Sequence, residues 1–252
     1  MAGPLILAID EGTTNAKAIA VDQAGQVVAR GSQPLTLAHP QPGLAEQDPL
    51  AIWQAVKQAM ASCLAQCAGA DVAAVAISNQ RESVLIWQRR DGQPLTPLVS
   101  WQDRRSEAFC RDLRMAGKAP RITGLTGLAV DPMFPAGKLT GMLAALPDGL
   151  SRAQAGELCI GTVDCWLSWQ LSAGETFVTD HANAARTQLY NLHSGDWDDE
   201  LLALFHIPRA ALPQIVPSAS AQGVVAVNDI PGLKVGTPIL SRIGDSHAAL
   251  QA

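Results

Sequence analysis

The chain is poor in aromatics and in charge. Aromatic residues make up 4% of its 252 positions, with one tyrosine, four phenylalanines and six tryptophans, so aliphatic side chains must fill most of any core. Charged residues are 16% and hydrophobic ones 48%, which excludes intrinsic disorder, since disorder needs low hydrophobicity and high net charge. There is no basic surplus. Eighteen Lys and Arg against 23 Asp and Glu give a net charge of −5, and the densest basic group is only Arg89-Arg90 with Arg104-Arg105. Nucleic acid is therefore excluded as the main partner. No apolar run reaches the roughly 18 residues of a membrane span, so no membrane partner is expected. Met1 to Asp10 has no basic n-region and no cleavage site, so no signal peptide is expected either. The five cysteines are odd in number and none has CxxC spacing. They predict buried, reduced thiols in the cytoplasm rather than a disulfide framework or a zinc site.

What is present suffices for a real core. A chain of this length hides roughly 70% of its unfolded surface and forms one large domain or two small ones. Leu5 to Ile9, Ala18 to Val21 and the alternating Val27 to Gln33, with the turn signal Asp22-Gln-Ala-Gly25, predict an antiparallel meander. Asp48-Pro49 signals a helix start, and Leu50, Ile52, Trp53, Val56, Met60, Cys63 and Leu64 keep a helical period up to Cys67. Val72 to Ile77 predicts a buried strand, and Val84 to Trp87 with Leu98 to Trp101 a hairpin around Asp91-Gly92. Helices are predicted over Ser106 to Met115, Gly137 to Leu146, Thr162 to Leu171 and Asp198 to Phe205, the last capped by Asp198. No repeat, low-complexity tract or linker divides the chain, and residues 213–220 read as a connection.

Polar motifs stand at the ends of the first and fourth strands, where α/β sheets gather ligands. This predicts that Asp10 lies near Arg81 and Glu82. Asp10-Glu-Gly-Thr-Thr14, with Lys17 beyond, holds the parts of a phosphate site: a glycine for close approach, hydroxyls and N–H groups for phosphate oxygens, and a carboxylate for Mg2+ through water. An ordinary hairpin turn has the same composition, and the motif is neither a Walker A loop nor GxGxxG. Asn79-Gln-Arg-Glu82 offers the mixed donors and acceptors a polyhydroxy ligand needs, or a surface ion pair. Trp101-Gln-Asp-Arg-Arg105 fits a polar cleft or the solvated start of the next helix. Gly244-Asp-Ser-His247 follows the apolar run Pro238-Ile-Leu240 and carries an acid suited to general-base work. A hydrolase reading of Asp-Ser-His is rejected, because triads assemble through tertiary geometry and no G-x-S-x-G elbow is present. For Trp87 and Trp101 the default is burial with the indole N–H paired.

Taken together, these motifs resemble the FGGY family of carbohydrate kinases, with glycerol kinases as the nearest members. The resemblance runs from Asp10-Glu-Gly-Thr-Thr14 through Pro42-Gly43, Glu46-Gln-Asp-Pro49, Asn79-Gln-Arg-Glu82 and Trp101-Gln-Asp-Arg-Arg105. It continues through Thr126-Gly-Leu, Asp131-Pro132, Gly161-Thr-Val-Asp-Cys-Trp166, Thr179-Asp180 with Asn183-Ala-Ala-Arg-Thr187, Asp196-Trp-Asp198 and Gly244-Asp245. It implies an α/β fold, an actin-like, ribonuclease-H-like domain with a mixed sheet flanked by helices. It implies further that residues 1–252 form the N-terminal, substrate-binding domain, that the C-terminal nucleotide domain is absent from the chain, and that the isolated chain turns over poorly.

By position, the resemblance makes Asp245 the general base and Arg81 and Glu82 binders of substrate hydroxyls. Asp10 becomes the Mg2+–phosphate organiser, Thr13 and Thr14 phosphate contacts, and Lys17 a cationic phosphate contact where many glycerol kinases carry Arg. The implied cofactors are ATP and Mg2+, the implied partner is a small polyol or sugar, and a homo-oligomer is compatible with the pattern. Two substrate contacts depart from glycerol kinases. Met133 replaces a Tyr and Ser246 a Gln, which predicts a roomier pocket for a larger polyol or a ketose. Gly141 stands where the family's first signature expects Trp, which predicts weakened local packing. The competing reading is a non-catalytic sugar-binding or regulatory protein on the same half-fold.

Overall fold

A computed structural model describes residues 3–67 and 69–250. The expected meander forms: β1 (Leu5–Glu11), β2 (Asn15–Val21) and β3 (Val27–Pro34) pair antiparallel in sequence. After the short β4 (Glu46–Gln47), helix α1 (Pro49–Ala65) crosses back, and β5 (Val72–Asn79) returns parallel to β1. The expected hairpin follows as β6 (Val84–Gln88) and β7 (Leu98–Val99), then α2 (Glu107–Met115), α3 (Ala119–Thr126), α4 (Pro135–Ala145) and α5 (Gly149–Gln154). Next come β8 (Leu158–Thr162), α6 (Val163–Leu171), β9 (Val178–Asp180), the one-turn α7 (His181–Ala184), β10 (Tyr190–Asn191), β11 (Asp196–Trp197) and α8 (Asp199–Leu204). The chain closes with β12 (Gln214–Val216), β13 (Ile239–Gly244) and α9 (Asp245–Leu250).

The main sheet has the order β13-β5-β1-β2-β3, with β13, β5 and β1 parallel. A second sheet, β4-β7-β6-β8, stands beside it. The architecture is a mixed sheet flanked by helices, as the resemblance implies.

Local chemistry sets several of these elements. Asp48 caps α1 by accepting from the N–H groups of Leu50 at 2.8 Å and Ala51 at 3.3 Å, a contribution of about 1 kcal/mol. The buried stripe of α1 includes Ile52, Trp53, Val56, Met60 and Cys63, and it packs on β2 and β3. A Cβ on Gly31 in β3 would lie 2.0 Å from the Ala59 carbonyl oxygen, so strand and helix meet at backbone contact. Asp198 caps α8 as expected, accepting from the Leu201 N–H at 3.0 Å. Trp87 is fully buried in a T-shaped cluster with Trp166, Trp169 and Phe177.

Three differences from the sequence expectations have physical causes. Helices α3 and α5 are absent from the sequence expectations: both are short, Gly124 weakens the interior of α3, and burial of Ile122, Leu125 and Ala153 holds them. Residues 213–220 contain β12, which pairs parallel with β9, rather than a bare connection. Gly141 costs no packing within the described residues: it is exposed on α4, and a Cβ there would meet nothing within 4 Å. All five cysteines are free, and Cys63, Cys110, Cys159 and Cys165 are buried.

Candidate active site

The parallel strands β1, β5 and β13 end at one level. Asn79 is in register with Glu11 on one side and with Gly244 on the other. Those ends carry the Asp10, Asn79 and Gly244 motifs, and Asp10 stands opposite Ser78 of β5, while Arg81 and Glu82 turn to other partners.

Asp10 is half-exposed. It accepts from Ser78 Oγ at 3.3 Å and lies 3.4 Å from Lys17 Nζ across the β1–β2 ladder. Gly12 opens the tight loop to β2, and a Cβ there would sit 3.5 Å from the Asn15 carbonyl oxygen, an ordinary contact. Nothing among the described residues therefore demands glycine at that place. Thr14 accepts from Asn15 Nδ2 at 3.2 Å.

Thr13 is tied into a buried polar network. Its Oγ1 accepts from Trp101 Nε1 at 3.0 Å and donates to Gln80 Oε1 at 3.4 Å. Gln80 in turn donates to Glu11 Oε1 at 3.0 Å and Gln47 Oε1 at 2.9 Å, and accepts from Ser83 Oγ at 2.8 Å. Glu11 is fully buried with Oε2 unpartnered among the described residues. Burial, reinforced by the nearby Asp10, pushes its carboxyl up to about 8 despite the bond from Gln80.

Arg81 and Glu82 do not pair with each other. Arg81 Nε donates to Asp245 Oδ1 at 3.0 Å, and its Nη2 donates to Ser246 Oγ at 2.8 Å. Asp245 Oδ1 also accepts from the Ser246 N–H at 2.6 Å. Its Oδ2 has no partner among the described residues, and the side chain is 45% exposed. Glu82 is nearly buried and accepts from Arg186 Nε at 2.6 Å.

Met133 lies on a cavity of about 320 Å3 shared with Trp101, Gln102, Asp103, Arg104 and Asp131. Trp101 is 38% exposed, so its default core placement is overturned: the indole hydrogen-bonds Thr13 and lines this cavity. Trp87 keeps the core position, with its N–H unpaired among the described residues. Asp103 is fully buried, bonded to the Ala45 N–H at 2.7 Å and to Arg105, which also reaches Glu46. Burial acts against this carboxylate, but those bonds hold it below the usual carboxylate range.

Lys138 joins the site without having been among the candidate residues. Its ammonium is fully buried and donates to the carbonyls of Ser100 at 2.7 Å and Met133 at 2.8 Å, joining two walls of the cavity. Burial pulls it down to about 7, against the attraction of Asp103 and Glu82. The predicted helix Gly137 to Leu146 contains Lys138, but nothing in the local sequence signals its burial.

A larger cavity, about 810 Å3, lies elsewhere, against Arg89, Thr176, Phe177 and Gly223. It holds none of these motifs, and Arg89 turns inward to the carbonyls of Gly156 and Ala210. Convergent polar groups mark the strand-end site better than volume does.

Residues 5–251 match the model of the FGGY family of carbohydrate kinases, N-terminal domain. The apulose kinase of Pectobacterium atrosepticum is 60% identical over 247 residues, covering 98% of this chain and 50% of that protein. The glycerol kinase of Paracidovorax citrulli is 45% identical, covering 97% of the chain and 48% of that protein. The crystal structure of Plasmodium falciparum glycerol kinase with ADP superposes with a TM-score of 0.94 at 27% identity, over 99% of this chain and 50% of that one. The chain thus spans about half the length of the curated relatives it matches. It belongs to the FGGY family of carbohydrate kinases, to whose N-terminal domain it corresponds.

Proposed function

We propose that this chain is the acceptor-binding half of an ATP-dependent kinase that phosphorylates a hydroxyl of a small sugar or polyol. The nucleotide domain is supplied by a second half of the polypeptide, and the enzyme works in the cytoplasm. The observation that carries the reading is the arrangement of Asp245. Arg81 and the Ser246 N–H hold Oδ1, so Oδ2 remains free to take the proton of an acceptor hydroxyl. Arg81 keeps further donors for the acceptor's other oxygens, and Glu82 supplies an acceptor-only carboxylate.

Asp10 suits Mg2+. Its half-exposed carboxylate is held only by long contacts, and Mg2+ usually takes one or two carboxylates, water and substrate phosphates rather than a protein cage. No such cage of three His, Cys, Asp or Glu is present among the described residues. Gly12 leaves its surroundings open to a phosphate, with Thr13, Thr14 and Lys17 beside it. ATP with Mg2+, when bound, supplies the phosphoryl group and neutralises its developing charge. The chain's own residues orient the acceptor and remove its proton.

Apulose is the preferred acceptor in this reading. The 60% identity to an apulose kinase supports it, as do Met133 and Ser246, the two implied substrate contacts at which the chain departs from the glycerol kinase pattern. The test is ADP release by the complete polypeptide with ATP–Mg2+ and a panel of apulose, glycerol, erythritol, xylulose, ribulose and gluconate. Release with apulose well above the others is expected. Silence of a folded protein across the panel would favour the binding-protein reading instead.

A further inference from the structure

The stretch Thr179 to Thr187 belongs to the family pattern, yet the acceptor site described above assigns it no task. It forms the end of β9, the short α7 and the residues just after, and it faces residues 79–82 with two side chains three positions apart. Asn79 and Asn183 exchange amide hydrogen bonds at 3.0 and 3.2 Å, both fully buried. Three residues on, Arg186 Nε donates to Glu82 Oε1 at 2.6 Å. The other side of this brace is fixed as well. Asp180 accepts from the Asn183 N–H at 2.8 Å, from Asn183 Nδ2 at 2.9 Å and from Ser218 Oγ at 2.5 Å.

Arg186 also spreads its guanidinium over the ring of Phe134, 5.0 Å from the centroid, and Phe134 follows Met133 directly. One side chain therefore touches Glu82 on one wall and the segment of Met133 on the other. Glu82 needs such support. Its φ is +61°, a left-handed conformation uncommon for a residue with a side chain, and its carboxylate side chain is only 6% exposed. Glu82 Oε2 has no partner among the described residues, whereas Oε1 is held.

We infer that Arg186 is a positioning residue for the acceptor: it holds Glu82 and the Met133–Phe134 segment in one arrangement, so that Glu82 Oε2 is presented to an acceptor hydroxyl. The inference rests on the kinase reading above, in which Glu82 binds the acceptor.

The experiment uses the complete enzyme, with acceptor and ATP titrated separately for the wild type, Arg186→Ala, Arg186→Lys, Glu82→Gln and the double variant Arg186→Ala/Glu82→Gln. Arg186→Ala is expected to raise the acceptor KM tenfold or more and to leave the ATP KM within about twofold. Arg186→Lys recovers part of that loss, since it keeps the charge but not the fork of donors. The double variant should be no worse than the poorer single one, because both act on the same contact. It also lacks the uncompensated carboxylate that could unfold Arg186→Ala. A purely structural role would lower active-enzyme content and the unfolding midpoint while leaving the acceptor KM in place. An active wild type with an unchanged acceptor KM in the folded variants, or with additive effects, overturns the inference alone. A wild type that phosphorylates nothing overturns the kinase reading, and the inference with it.

Discussion

The stem of Arg81 lies across Gly244: a Cβ at that glycine would stand 2.6 Å from both Cγ and Cδ of Arg81. The glycine is needed for this close approach, because Arg81 passes over the end of β13 on its way to Asp245 and Ser246. Gly244→Ala should push Arg81 out of both bonds. Hydrogen bonds to charged groups are worth about 1.5–3 kcal/mol, so the acceptor KM should rise by roughly tenfold or more. Steady-state kinetics of the complete enzyme with varied acceptor, alongside an unfolding midpoint, would measure this. An unchanged KM in a folded variant would remove Arg81 from acceptor binding.

Asp245→Asn keeps the shape of the side chain and removes its basicity. Because the side chain is 45% exposed, the unfolding midpoint should barely move. Turnover should fall by at least about 100-fold, the usual size of general-base help. Residual kcat within about tenfold of wild type would mean that another group takes the proton.

Met133→Tyr with Ser246→Gln places the side chains of the glycerol kinase pattern at the two proposed acceptor contacts. The ratio of kcat/KM for glycerol over apulose should rise by about tenfold, in line with what one pocket substitution commonly achieves. Competition between the two acceptors in one vessel reads this ratio directly. A ratio that does not move would separate specificity from these two positions.

Lys138 predicts a pH dependence. Burial lowers its ammonium to about 7 in the folded chain, against 10.5 in the unfolded one. Between those values the unfolded chain binds more protons, so this group makes stability rise with pH from 7 towards 10.5, by at most about 1.4 kcal/mol per unit. Below pH 7 both states are protonated and the dependence stops. Lys138→Met should flatten that rise while costing about 1–3 kcal/mol for each of the Ser100 and Met133 carbonyls left unpaired. Urea unfolding of both proteins at pH 6, 7, 8 and 9 gives the two slopes, and parallel slopes would refute the assignment.

Much of this molecule is legible in its sequence. The meander, the start of α1 at Asp48, the cap at Asp198 and the strand-end placement of Asp10, Arg81 and Asp245 all follow from signals within a few residues: period, turn chemistry and capping. Short-range chemistry also named the candidate residues, because an acid after a buried strand is conspicuous wherever it stands. The partners were not legible. That Arg81 reaches Asp245 across 164 positions rather than its neighbour Glu82, that Glu82 pairs with Arg186, that Lys138 is buried and Gly141 exposed, and that Trp101 leaves the core while Trp87 fills it depend on sheet order and strand register. Those are settled by contacts between segments far apart in the chain, which local periodicity does not specify. The residue types and their local elements were thus determined by the sequence alone, and which side chain answers which was decided only when β1, β5 and β13 ended at the same level.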